Sequence, residues 1–322
     1  MKKFLSILAE VSFVGFRRRI LEMNRKKVVV GFVVFVASLV FSSAAWAALF
    51  SNTVAFGDSL SDNGNIYAAT MEALPAPPDY FAGRFSNGPV WVEYFTTFVS
   101  DNHLDNYAYG GAVTGVGGPI PGLLSQVYGY GLSNPSNLGD TLFTVWAGPN
   151  DFLGGGNDYI SSVDNIILAL ETLDALGAQH IIVPNMPDLG RTPLLYGDAQ
   201  ASALTQLFNG SLQASLDDFA ASYAGTLYRL DTFSFLNGIE VGDYGFTNIT
   251  DSCIGSNAFP ENYTLGPEYL FWDDVHPTSK AHMILALEAE RVITSQVPLP
   301  ACLWLLGSGL IGLVGFRRKF GK

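Results

Sequence analysis

Five residues have the types and settings to do chemistry together: Ser59, Gly111, Asn150, Asp273 and His276. Ser59 stands in Phe56-Gly-Asp-Ser-Leu-Ser-Asp-Asn-Gly-Asn65, directly after a short apolar run. A serine just past a strand, with helix-capping residue types behind it, can present its hydroxyl at a helix N-terminus. Backbone N–H groups there favour a developing anion. Taken alone, the segment also reads as a Ser/Asp-rich turn, and Ser61 occupies the place where a G-x-S-x-G elbow needs glycine. Asn150, in Ala147-Gly-Pro-Asn-Asp151, can offer its amide to an oxyanion, although a Pro-Asn pair is equally a turn former. Gly111, in Asn106-Tyr-Ala-Tyr-Gly-Gly111, can bring a backbone N–H close to a reacting centre because no side chain obstructs it, or it simply makes a turn.

The fourth segment is Trp272-Asp-Asp-Val-His-Pro-Thr278. His276 precedes a proline, which biases it to an extended, loop-held conformation. Asp273, three residues earlier, can curl back onto one ring nitrogen and leave the other free as a base toward a serine. Of the other histidines, His180 opens an apolar run and reads as structural, His282 reads as a surface residue of the last helix, and His103 has no evident partner. Asp58 and Asp62 read as turn and cap groups rather than catalysts, and Gly154-Gly-Gly-Asn-Asp158 as a turn rather than a calcium loop.

The elements that must position these residues follow from the apolar pattern. Strands are expected at 53–56, 142–146, 180–183 and 226–230. Between the second and third, Val163, Ile166, Ile167, Leu170 and Leu173 recur at helical spacing, with Ser161 or Ser162 as cap and Gly177 as stop. Residues 198–223 read as another helix, and Ala281, Ile284, Leu285, Ala289 and Val292 as the face of a last one. Alternating strands and helices argue for a parallel sheet covered on both faces, with ligands beyond the carboxyl ends of the strands. Ser59 and Asn150 follow such ends directly.

Composition removes several classes. The chain has 322 residues, 48% hydrophobic and 13% aromatic, which excludes a disordered protein. Residues 48–297 hold five Lys or Arg against 27 Asp or Glu, a net charge near −22 that repels nucleic acid. Cys253 and Cys302 are 49 apart and define neither a metal site nor a disulfide framework. No metal or cofactor is expected.

The two ends read as addresses. Asn24-Arg-Lys-Lys27, the apolar stretch Val28–Val40 and the site Ala45-Trp-Ala47 make a secretory signal over residues 1–47, cut after Ala47. Val14-Gly-Phe-Arg-Arg-Arg19 nearly repeats Val314-Gly-Phe-Arg-Arg-Lys319, and translation is expected to start at Met23. Residues 298–322 carry Pro-Leu-Pro300, an uncharged stretch Ala301–Phe316 and the cluster Arg317-Arg-Lys319, marginal in length for a membrane span.

That tail resembles the PEP-CTERM sorting signal, with Pro-Leu-Pro in place of Pro-Glu-Pro. The resemblance implies export, transient membrane insertion of the C-terminal helix, cleavage by a sorting protease of the exosortase type and release to the envelope, surface or medium. The body, over nearly all of residues 52–295, resembles the GDSL/SGNH hydrolases. Ser59 in GDSLSDNGN, Gly111 in NYAYGG, Asn150 in GPND and Asp273 and His276 in DDVH match the four blocks in order. Gly83-Arg-Phe-Ser-Asn-Gly-Pro-Val-Trp-Val92 is similar to the esterase and lysophospholipase branch. The resemblance implies a flavodoxin-like three-layer α/β/α sandwich and metal-free hydrolysis of carboxylic esters. In it Ser59 is nucleophile, His276 base and acid, and Asp273 the orienting group, with an oxyanion hole from Ser59, Gly111 and Asn150. Aromatic loops (Tyr80, Phe81, Tyr107, Tyr109, Tyr128, Tyr130) are expected to line an acyl or sugar site. Two other readings stand beside it: an acetylesterase acting on exopolysaccharide, and a non-catalytic, surface-attached carbohydrate-binding protein.

Overall fold

The structure, a computed structural model, describes residues 49–76, 79–101, 103–254 and 268–296. The secretory signal, the start at Met23 and the sorting tail lie outside the described residues. In chain order the first elements are β1 (Asn52–Gly57), α1 (Asn65–Ala69), α2 (Trp91–Val99), β2 (Leu104–Asn106), α3 (Leu123–Leu132) and β3 (Thr141–Trp146). There follow α4 (Pro149–Leu153), α5 (Tyr159–Leu176), β4 (His180–Pro184), α6 (Ala199–Ser222), β5 (Thr226–Leu230) and α7 (Thr232–Asn237). The last are β6 (Asn248–Ser252), β7 (Tyr269–Phe271) and α8 (Ser279–Gln296).

Five strands form one parallel sheet in the order β2-β1-β3-β4-β5. Its two faces follow from the alternation of side chains along each strand. Val54, Phe56, Phe143, Val145, Ile181 and Val183 face α3, α5 and α6. Ala55, Leu142, Trp146, Ile182, Tyr228 and Leu230 face α2 and α8. Both faces are covered, so the strands read as continuous apolar runs, and each fully buried large side chain contributes about 1.5–3 kcal/mol. This is the expected three-layer α/β/α sandwich. β6 and β7 make a separate two-stranded parallel sheet over Leu236, Phe246, Leu270, Phe271 and Ile284.

The order matters because the chain leaves β1 toward β2 on one side and reaches β3 on the other. A crevice opens at such a switch point, beyond the strand ends. Gly57, at the end of β1, has φ 151° and lies so close to β3 that a Cβ would be driven into the Trp146 carbonyl. α5 starts earlier than Ser161: Asp158 is its cap and accepts from the Ser161 N–H, which gives the Gly154–Asp158 turn its role. Gly177 ends the helix at φ 102°, as expected. Among the described residues no helix is long and apolar enough to cross a membrane.

Candidate active site

The Ser59 side is built on main chain. Gly57 is held by both ends of one amide: its N–H donates to Gln126 Oε1 at 2.8 Å and its carbonyl accepts from Gln126 Nε2 at 2.9 Å. Asp58 and Asp62 do serve the turn, as expected. Asp58 Oδ1 accepts from the Leu60 N–H, and its carbonyl from Ser61 and Asp62. The Asp62 carboxylate accepts from the N–H groups of Gly64, Asn65, Ile66 and Gly110, which fastens the turn after β1 to the loop after β2. Asn106 adds a second tie, from its Nδ2 to the Ser61 carbonyl at 2.7 Å. Tyr109 donates its N–H to the Gly57 carbonyl at 3.1 Å, so the loop tracks β1 and carries Gly111 (φ 81°) to the crevice. Ser59 is buried at 7% exposure.

The His276 side draws on side chains. His276 Nδ1 lies 2.7 Å from Asp273 Oδ2 and 2.9 Å from Oδ1, and Nε2 lies 2.7 Å from Ser59 Oγ. Asp273 Oδ1 also accepts from the N–H groups of Val275 and His276. Burial opposes ionisation of Asp273, but the imidazole and these N–H donors hold its carboxyl below the usual carboxylate range. The segment 80–89 buttresses this loop. Tyr80 donates its hydroxyl to Asp273 Oδ2 at 2.8 Å, and the Phe85 ring packs 4.9 Å from the imidazole. Ser86 Oγ donates to the Pro277 carbonyl, and Asn87 Oδ1 accepts from the Ser279 N–H that opens α8.

Asn150 sits in the first turn of α4, beyond β3, and Nδ2 donates one hydrogen to the Ala112 carbonyl at 3.0 Å, leaving the other available. Among the described residues the N–H groups of Ser59 and Gly111 donate to no acceptor. The structure therefore brings together all five residues singled out in the sequence. A cavity of about 320 Å³ opens on Ser59, Gly111, Asn150 and His276.

Three expectations are corrected. None of the tyrosines named from the loops lines that cavity, and neither does Phe81. Tyr107 and Tyr130 pack against Phe56 in the core instead, and Tyr80 serves Asp273, its own ionisation suppressed by burial and by that carboxylate. His282 is not on the surface but 1% exposed, on the face of α8 turned inward. His103 has a partner: its Nε2 lies 3.4 Å from Asp105 Oδ1 at the surface. His180 is structural as expected, packed 5.0 Å from the Phe50 ring. Gln126 and Asp151 were not singled out. Asp151 accepts from the Thr114 N–H and hydroxyl and ties the glycine-rich loop to α4.

Residues 53–289 match the family model described as GDSL-like lipase/acylhydrolase. The chain belongs to this family. Residues 296–319 match the PEP-CTERM protein-sorting motif. This GDSL-family chain is 30% identical over 275 residues to the thermolabile hemolysin of Vibrio parahaemolyticus, covering 76% of the chain but only 64% of the hemolysin. It is 27% identical to the phosphatidylcholine-sterol acyltransferase of Aeromonas hydrophila, covering 77% of the chain and 91% of that enzyme. A solved GDSL-family lipolytic protein from Veillonella parvula matches at TM-score 0.47 and 18% identity, over 76% of this chain and 98% of that one. This chain carries that family's domain over residues 53–289 and the sorting motif after it. Its sorting motif implies recognition by an exosortase and export to the cell envelope or surface.

Proposed function

We propose that this enzyme is an exported acyl-ester hydrolase that works through a Ser59 acyl-enzyme. The observation that carries the reading is the 2.7 Å approach of His276 Nε2 to Ser59 Oγ, with Asp273 on the opposite ring nitrogen, at the mouth of an apolar cavity. His276 takes the Ser59 proton as Oγ attacks the ester carbonyl and passes it to the leaving alcohol. Asp273 holds the tautomer and stabilises the imidazolium. The N–H groups of Ser59 and Gly111 and the spare hydrogen of the Asn150 amide face the oxyanion. Water then enters, gives its proton to His276 and releases the acid.

The cavity holds about ten times the ~30 Å³ of one water in the liquid, more than an acetyl group needs, which favours a longer acyl chain. Export begins with a signal peptide cut after Ala47, and the tail inserts transiently before an exosortase-type protease removes it. Hydrolysis of p-nitrophenyl acetate, butyrate and palmitate by the purified protein tests the reading. The rate is expected to rise from acetate to butyrate and to fall about 10⁴-fold or more in Ser59→Ala. A Ser59→Ala protein that keeps its rate, or a folded wild type inert on every ester, refutes it.

A further inference from the structure

The cavity is apolar through most of its wall but contains one imidazole that nothing satisfies. Trp146, Leu189, Leu236, Phe271 and Leu285 line it beside His282. His282 is 1% exposed, and neither Nδ1 nor Nε2 has a hydrogen-bond partner. Its backbone N–H is taken by the Thr278 carbonyl, which fixes the residue in the first turn of α8. Among the described residues seven buried side-chain N or O atoms lack partners, and three belong to residues on this one wall: Asp58 Oδ2 and the two His282 nitrogens. An unmet buried donor or acceptor costs about 1–3 kcal/mol. A hydrocarbon chain filling the cavity would leave both His282 nitrogens unmet.

Burial, reinforced by nearby His276, drives the His282 pKa down to about 3, so the ring is neutral in the working range. A neutral imidazole presents one N–H donor and one lone-pair acceptor. Its complement is a group that both accepts and donates, and a hydroxyl is the smallest such group. A carboxylate is a poor fit, since it cannot donate to the second nitrogen. Trp146, Phe271, Leu285 and His282 all belong to the cavity wall and are themselves buried. The alcohol must leave before water attacks, whereas the acyl group stays bonded to Ser59 through both steps. A wall of buried side chains therefore suits the group that stays longest, the acyl chain.

We propose that His282 is a specificity-determining residue that hydrogen-bonds a hydroxyl on the acyl chain, making hydroxyacyl esters the preferred substrate class. This rests on the reading of Ser59 as the nucleophile of an acyl-ester hydrolase. The test compares the full-length enzyme on methyl octanoate and its 3-, 6- and 8-hydroxy analogues, following acid release. The wild type is expected to favour at least one hydroxylated ester by about tenfold or more in kcat/KM. His282→Leu should abolish that preference while still cleaving methyl octanoate, and His282→Gln, which keeps a donor and an acceptor, should restore part of it. If the leucine variant does not fold, the wild-type preference and the glutamine variant carry the test. A wild type indifferent to the hydroxyl, or a preference that survives His282→Leu, overturns the proposal and assigns the two nitrogens to a buried water. Failure of the wild type on every ester instead removes the underlying reading, and this inference with it.

Discussion

The two halves of the active site are held in different ways. Around Ser59 the ties run to backbone: the Gln126 amide on both groups of Gly57, and the Asp62 carboxylate on four N–H groups. Around His276 most ties run between side chains, and several arrive from residues 80–89, nearly two hundred positions earlier in the chain. Ser59 is thus fixed by the fold itself, whereas His276 is fixed by what packs on its loop. Damage on the first side should appear as lost stability, and damage on the second as lost rate.

Asp273→Asn strikes the second side hardest. It removes the charge that stabilises the imidazolium and permits the wrong tautomer, so kcat is expected to fall about 10⁴-fold with the melting temperature little changed. A large loss of melting temperature would show that the base loop carries fold stability too, and the contrast would be lost.

Asp58, on the first side, predicts an effect on stability. Burial outweighs its hydrogen bonds and raises its pKa to about 7, while burial lowers that of His282 to about 3. Between about pH 4 and 6.5 the folded state therefore keeps a proton on Asp58 that the unfolded chain has lost, so this group makes stability fall as pH rises. Over the same window the unfolded chain protonates His282 and the folded state does not, so that group makes stability rise with pH. The two contributions oppose each other. Asp58→Asn should leave the rise exposed, at about 1.4 kcal/mol per pH unit in denaturant titrations between pH 4 and 6. An unchanged pH slope would rule out a buried, protonated Asp58.

The smallest effect is expected from Tyr80→Phe, which removes one hydrogen bond to Asp273 and leaves two backbone donors. A loss in kcat of about tenfold or less is expected, on the order of the ~0.5–1.5 kcal/mol of one ordinary net hydrogen bond. No loss at all would mean that backbone alone positions Asp273, bringing the base side closer to the nucleophile side.

The same contrast decides what could be read from the sequence. Ser59 and Asn150 stand directly after apolar runs, and a parallel sheet places such residues at one edge, so strand and site were legible together. The spacing of Asp273 and His276 carried their pairing. Tyr80 was misread because its partner is 193 residues away and local pattern holds no trace of such a contact. Gln126 escaped for the same reason, lying 69 residues from Gly57. β2 and β6 escaped because Leu104-Asp-Asn106 and Asn248-Ile-Thr-Asp-Ser252 lack apolar runs. The position of His282 did carry a signal: it shares helical spacing with Leu285, Ala286 and Ala289, all buried, and only its polar type pointed outward.

Ser59 and His276 lie 217 residues apart, at opposite ends of the domain. At about 5–20 residues per second, a ribosome needs on the order of 10–40 s to travel from one to the other. Through that interval the nascent chain carries Ser59 without His276. In the proposed mechanism hydrolytic power arrives only with the His276 loop, just ahead of α8, whose last residue, Gln296, is also where the sorting motif begins. The His276 loop thus sets the timing of activity, and a break in the chain on its N-terminal side would leave an inert serine behind.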